Sequence, residues 1–194
     1  MKVGILCEFS GTVRDAFLAQ GHNAISCDLL PTESPGPHIQ GDCLAQNWSG
    51  FDLLICHPPC TRLAVSGARY FAQKQPQQQA ALQFVRDLMN LPVKRICIEN
   101  PVSIISSQIR KPEQIIQPWM FGHPESKKTC LWLKNLPPLV PSNVLPLPAS
   151  GRWQNQTPSG QNNLGPSKDR WKLRSATYAG IAKAMALQWG TLPP

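Results

Sequence analysis

The chain has 194 residues, enough to bury one sizeable core and too few for two full domains. A formal net charge of +8 favours an anionic partner, nucleic acid before membrane. No window approaches the roughly 20 consecutive apolar residues that a bilayer crossing needs, and the opening "MKVGILCEFS" runs straight into polar sequence, so a soluble, cytoplasmic protein with no membrane partner is expected.

In chain order, "KVGILCEF" reads as a buried strand, "TVRDAFLAQ" as a short helix closed by Gly21, and "NAISCDLL" as a second strand. "FDLLICH" is a third strand. "PQQQAALQFVRDLMN" is a helix with Ala80, Phe84, Val85 and Leu88 on one face, and "VKRICIEN" is a fourth strand. Strands alternating with helices predict a mostly parallel α/β sheet with helices on both faces. The second half loses this rhythm: it is rich in Pro and Gly, and "LPPLVPSNVLPLP" suits neither a continuous helix nor a central strand. "KKTCLWLKNL" is one strand inside it, and "SATYAGIAKAMALQW" returns to helical spacing through Ile181, Met185 and Trp189. Trp119, Trp132, Trp153 and Trp171 offer apolar anchors for the irregular stretch.

In parallel sheets ligands bind beyond the carboxyl ends of the strands. Those ends read Glu8-Phe9-Ser10-Gly11, Asp28, His57-Pro58-Pro59-Cys60 and Glu99-Asn100-Pro101, which gathers polar and reactive residues at one edge. The ordered series Phe9-x-Gly11, an acid after strand two, Gly41-Asp42, Pro58-Pro59-Cys60 and Glu99-Asn100-Pro101 resembles the motifs of the cytosine-C5 DNA methyltransferases. The chain as a whole looks like the small methyltransferase-like proteins that bacteriophages encode. It departs from the family in having Thr61 where Gln is usual, Pro101 where Val is usual, and fewer glycines in "EFSGTVRD".

The resemblance implies a Rossmann-like, S-adenosylmethionine-dependent methyltransferase fold spanning residues 1–194 as one domain, with 104–170 standing in place of a full target-recognition domain. It implies transfer of a methyl group to carbon 5 of cytosine in DNA, Cys60 adding to carbon 6 as nucleophile and Glu99 holding the base. Carbon 5 is otherwise a poor nucleophile, so the chemistry needs a thiolate, favoured by a nearby cation such as Arg62 or a helix N-terminus. S-adenosylmethionine is the implied cofactor. Phe9, Ser10, Gly11, Thr12 and Pro58 would lie against it, Asp28 would meet its ribose, and Asp42 its adenine amine. Arg62, Arg110, Lys111, Lys127 and Lys128 are candidates for phosphate contacts with duplex or single-stranded DNA. The reduced recognition region leaves room for a separate protein that supplies target recognition.

Plainer readings compete. Cys7, Cys27, Cys56 and Cys97 sit within apolar strands as small buried hydrophobes, and the seven scattered cysteines fit reduced thiols better than a disulfide framework. Cys56, His57 and Cys60 are too crowded by prolines for a structural zinc site, so no metal is expected. Asp28 and Asp42 suit turns and caps. Two further functions stay open: modification of a free pyrimidine nucleotide by the same thiol addition, and a non-catalytic protein that binds cofactor or nucleic acid.

Overall fold

A computed structural model describes residues 1–65, 75–160 and 162–193; Gln161, in the stretch expected to be irregular, lies outside them. The elements are β1 (Lys2–Leu6), α1 (Thr12–Ala19), β2 (Asn23–Asp28), β3 (His38–Gln40), β4 (Leu53–Cys56), α2 (Gln75–Met89), β5 (Arg95–Pro101), α3 (Ile105–Gln108), β6 (Gln114–Ile116), β7 (Thr129–Lys134), α4 (Arg170–Ser175) and α5 (Ala179–Trp189). The strands form one seven-stranded sheet in the order β3-β2-β1-β4-β5-β7-β6. From β3 to β5 all neighbours are parallel, β7 runs antiparallel to β5, and β6 antiparallel to β7.

The continuous apolar runs of β1, β4 and β5 follow from burial on both faces. Val3, Ile5, Leu53, Ile55 and Cys97 point toward α1 and α5, where Val13, Phe17, Ile181, Met185 and Trp189 complete one core. Leu6, Leu54, Cys56, Ile96 and Ile98 point the other way, toward Trp48 and the Leu82, Val85 and Leu88 stripe of α2. Gly4 is needed between these layers, since a Cβ there would lie 2.7 Å from Leu54 Cδ2 and 3.0 Å from the Trp48 ring. The left-handed Gly21 ends α1 in a double hydrogen-bonded cap, with His22 N donating to Phe17 O and Gly21 N to Leu18 O.

The expected alternation of strands and helices, with helices on both faces, is the observed one. Three details differ. On α2 Ala80 is exposed, and Leu82 takes its place in the buried stripe. The second strand stops at Asp28, because Leu30 N turns back to the Asp28 carboxylate and leaves Leu29 and Leu30 exposed. The second half is less irregular than its prolines imply: β6 and β7 extend the sheet, and Trp132 is buried on it. Trp153 is also buried and stacks on Trp119, whereas Trp171 remains 55% exposed.

Candidate active site

The chain moves outward in one direction through β1, β2 and β3, and in the other through β4 and β5. The crevice between the carboxyl ends of β1 and β4 is therefore the topological switch point, where α/β sheets bind ligands. The loop after β1 makes one wall. Gly11 turns into α1 at φ 77°, and a Cβ there would meet the Arg14 guanidinium at 2.5 Å. Glu8, buried beneath this turn, accepts from Val13 N at 2.6 Å and Arg14 N at 3.2 Å, and Thr12 N donates to Ser10 Oγ. Burial pushes the Glu8 carboxyl up, opposed by the charge of His57 and by those two amides.

The other wall comes from β4 and β5. Their register pairs Ile55 with Cys97 and Cys56 with Ile98, so the next residues, His57 and Glu99, face each other on the α1 side. His57 Nδ1 lies 2.9 Å from Glu99 Oε2, and both side chains are largely buried. Burial alone would push His57 down, but the hydrogen bond and charge of Glu99, with Glu8 adding to them, raise it. Burial would likewise raise Glu99, yet His57, helped by Lys127, holds that carboxyl below its ordinary range. Both shifts favour the ion-paired form of the two side chains. Asn100 points to the opposite face, where it is fully buried and its Nδ2 donates to Pro58 O at 2.7 Å. The Glu-Asn pair thus has divided tasks, Glu99 reaching His57 and Asn100 pinning the proline loop.

Cys60 stands at the start of the turn that this loop makes, its carbonyl accepting from Leu63 N and Ala64 N. The turn is tied to the residues after β5 by Val65 N to Val102 O and Ile104 N to Leu63 O. Burial pushes the Cys60 thiol up and the negative charge of Glu99 pushes it further, while Lys127 and Arg174 pull it down. Among the described residues Lys127 and Arg174 are the cations that pull on the thiol; Arg62 lies in the turn with its carbonyl accepting from Gln78 Nε2. In the free protein Cys60 rests as a thiol. Its alkylation by iodoacetamide, followed by mass spectrometry of a digest, should be slow at neutral pH and rise only above the ordinary thiol range near about 8.5. Fast modification at pH 7 would overturn this assignment.

A segment from the far end of the chain spans the crevice. Trp171 packs on Phe9 with ring centroids 5.7 Å apart, Lys172 pairs with Glu33, and Lys127 Nζ donates to the carbonyls of Arg174 and Ala176 at 2.8 and 3.3 Å. Lys127 is thus drawn toward the site, not displayed outward. Lys128 is exposed beside it at the same sheet edge, next to Thr129, which pairs with Pro101. Arg110 pairs with Glu113 and donates to Leu133 O, which ties it to β7, next to the edge of the sheet, and Lys111 beside it is exposed.

Asp28 and Asp42 lie together at the ends of β2 and β3, linked by Gly41 N donating to Asp28 O. Each also does the local work that its residue type predicts. Asp28 Oδ1 accepts from Leu30 N, and Asp42 Oδ1 accepts from Leu44 N at the head of a 3-10 turn. Among the described hydrogen bonds neither Oδ2 is used, so two carboxylate oxygens remain at the crevice edge. Two adjacent acids suit hydroxyl and amine donors, and the half-buried Phe9 ring offers an apolar surface on the loop after the neighbouring strand β1. These residues fit a nucleoside-bearing cofactor. The amides of Val13 and Arg14 are already taken by Glu8, so that stretch of the turn is built to hold itself.

The residues that sequence reading left without a role are Glu8, His57, Asn100 and Arg174. For His57 the signal was present: it lies two residues past Ile55, Glu99 lies two past Cys97, and in-register parallel strands set such residues side by side.

No protein-family model matches the chain, and no curated protein matches its sequence. Among solved structures it is similar in fold to one described as a "putative DNA modification methyltransferase" encoded within a prophage of E. coli, at a TM-score of 0.50 and 14% identity. The match covers 78% of this chain and 53% of that one, so the chain spans about half of that structure's length. At this identity the likeness establishes a shared mixed α/β fold.

Proposed function

We propose that this chain is a methyltransferase that modifies carbon 5 of cytosine in DNA through a covalent adduct with Cys60. The observation that carries the reading is the placement of a thiol and a buried carboxylate, Cys60 and Glu99, over adjoining strands at the switch point of the sheet. S-adenosylmethionine, when bound, supplies the methyl group. Asp28 and Asp42 would hold its ribose and adenine amine, with Phe9 to Thr12 and Pro58 against the rest. Cys60 loses its proton to solvent and adds to carbon 6. Glu99 binds ring nitrogen 3 and the exocyclic amine, which favours the added state, a contribution of roughly a hundred- to ten-thousand-fold for a positioned acid.

The exposed Lys128 and the cations drawn to the crevice, Lys127 and Arg174, supply positive charge where a DNA backbone would approach; Arg62, Arg110 and Lys111 would serve as outer phosphate contacts. Residues 104–170 take the place of a recognition domain within a single domain, and a separate protein would supply further target choice. The protein acts in a reducing cytoplasm, where its seven free cysteines stay as thiols.

Incubation with S-adenosylmethionine labelled in its methyl group, in parallel with duplex DNA, single-stranded DNA and free cytidine or uridine nucleotides, tests the reading. Label is expected on cytosine in DNA. Label on free nucleotides alone would move the assignment to nucleotide modification, and label on none would leave a binding protein.

A further inference from the structure

We propose that His57 is the positioning residue that keeps and returns the proton of Glu99, the two forming one proton-sharing pair behind the base. This rests on the reading of Glu99 as the base-holding acid. The pair is a 2.9 Å hydrogen bond between two side chains that are 9% and 13% exposed, and His57 Nε2 is buried without a hydrogen-bond partner among the described residues. Glu99 bound to a cationic imidazole is a carboxylate, and a carboxylate has no proton to offer ring nitrogen 3. The source is one bond away.

The proton passes from His57 Nδ1 to Glu99: the N–H bond breaks, an O–H bond forms, the imidazolium becomes a neutral imidazole and the carboxylate a neutral acid. A half-turn of the carboxyl about its soft terminal torsion brings the O–H to the base. As the Cys60 thiolate adds at carbon 6, the proton moves to nitrogen 3, the displaced ring electrons take it up, and Glu99 is again a carboxylate. When the adduct later breaks down, nitrogen 3 gives the proton back to Glu99 and through it to His57 Nδ1, so the pair is restored with no route to solvent through the buried Nε2. Among the described residues the charged groups that act on His57 are Glu8 from the end of β1, Glu99 from β5 and Lys127 from before β7; the two acids favour its cationic form and the lysine opposes it.

The sign follows from the geometry. His57 is charged below its raised folded value and loses its proton as pH rises through it, so adduct formation should fall over that window once thiolate formation at Cys60 is allowed for. His57→Gln keeps a donor for Glu99 and has no proton to pass on. It should slow adduct formation with a 5-fluorocytosine oligonucleotide by roughly a hundredfold and remove the histidine-dependent limb of the pH profile, with the thermal midpoint measured alongside. Superimposable pH profiles for the two proteins would overturn the proposal.

A second measurement is independent of turnover. In ring-labelled protein the four histidines can be followed by NMR, and His57 identified by its absence from His57→Gln. It should titrate above the ordinary histidine value of about 6.5 and move downward in Glu99→Gln, where of the two acids only Glu8 is left to offset burial. A His57 titration that ignores Glu99→Gln sinks the pair whatever the activity. A titration that responds, in a protein forming no adduct with any substrate, would sink the methyltransferase reading and leave the pair standing.

Discussion

A Cys60→Ser variant is expected to form no covalent complex with DNA carrying 5-fluorocytosine in the presence of S-adenosylmethionine, under conditions where the unaltered protein is trapped. Trapping follows because release of the enzyme requires removal of a proton from carbon 5, and fluorine occupies that position. The serine hydroxyl is a far weaker nucleophile at neutral pH, and loss of a covalent nucleophile should lower the rate by at least about a thousandfold. The remainder of the loop should be unaffected, since it is held by Asn100 to Pro58 O and by the Cys60 backbone carbonyl, none of which involves the thiol. Mass spectrometry of a digest locates the adduct. Trapping through any of the other six cysteines, or persistence in the serine variant, would remove Cys60 from the chemistry.

The largest loss of stability is expected from Arg14→Ala. Arg14 is fully buried, and its guanidinium joins four partners: Asp15 Oδ1 at 2.8 Å, Ser26 Oγ at 3.2 Å, Thr32 Oγ1 at 3.1 Å and Ser34 O at 2.8 Å. It is the hub that fastens the 29–37 loop to α1 and β2, and the close approach of Gly11 and Gly36 to its guanidinium leaves no room for side chains there. Truncation removes charge-assisted hydrogen bonds and opens a cavity, a cost of about 2–4 kcal/mol in urea unfolding with an unchanged slope. Arg14→Met, which fills most of the space, separates the packing share from the polar one. The same loop donates Glu33 N to Phe9 O, so the variant should also loosen the turn beside the crevice and weaken cofactor binding. A cost under about 0.5 kcal/mol, typical of an ordinary surface change, would show that the loop holds without its hub.

The sequence by itself determined the layered plan and the rim where polar and reactive residues collect. Apolar runs too long to alternate require strands covered on both faces, the 3.6-residue stripes between them require helices to do the covering, and a polar break after each run puts Glu8, Asp28, Cys60 and Glu99 at one rim. Local patterns carry that information because burial and backbone geometry repeat residue by residue. Tertiary structure decided what those residues do to one another. That Glu99 meets His57 depends on the β4–β5 register, and that Lys127 and Arg174 act on Cys60 depends on segments 67 and 114 positions further along the chain. It also decided the outer sheet. Gln114–Ile116 has too few residues for a period to register, and it becomes a strand because β7 presents an unpaired edge whose backbone groups need partners. A pairwise contact between distant segments leaves no periodic trace in either of them, which is why the thiol was legible and its electrostatic surroundings were not.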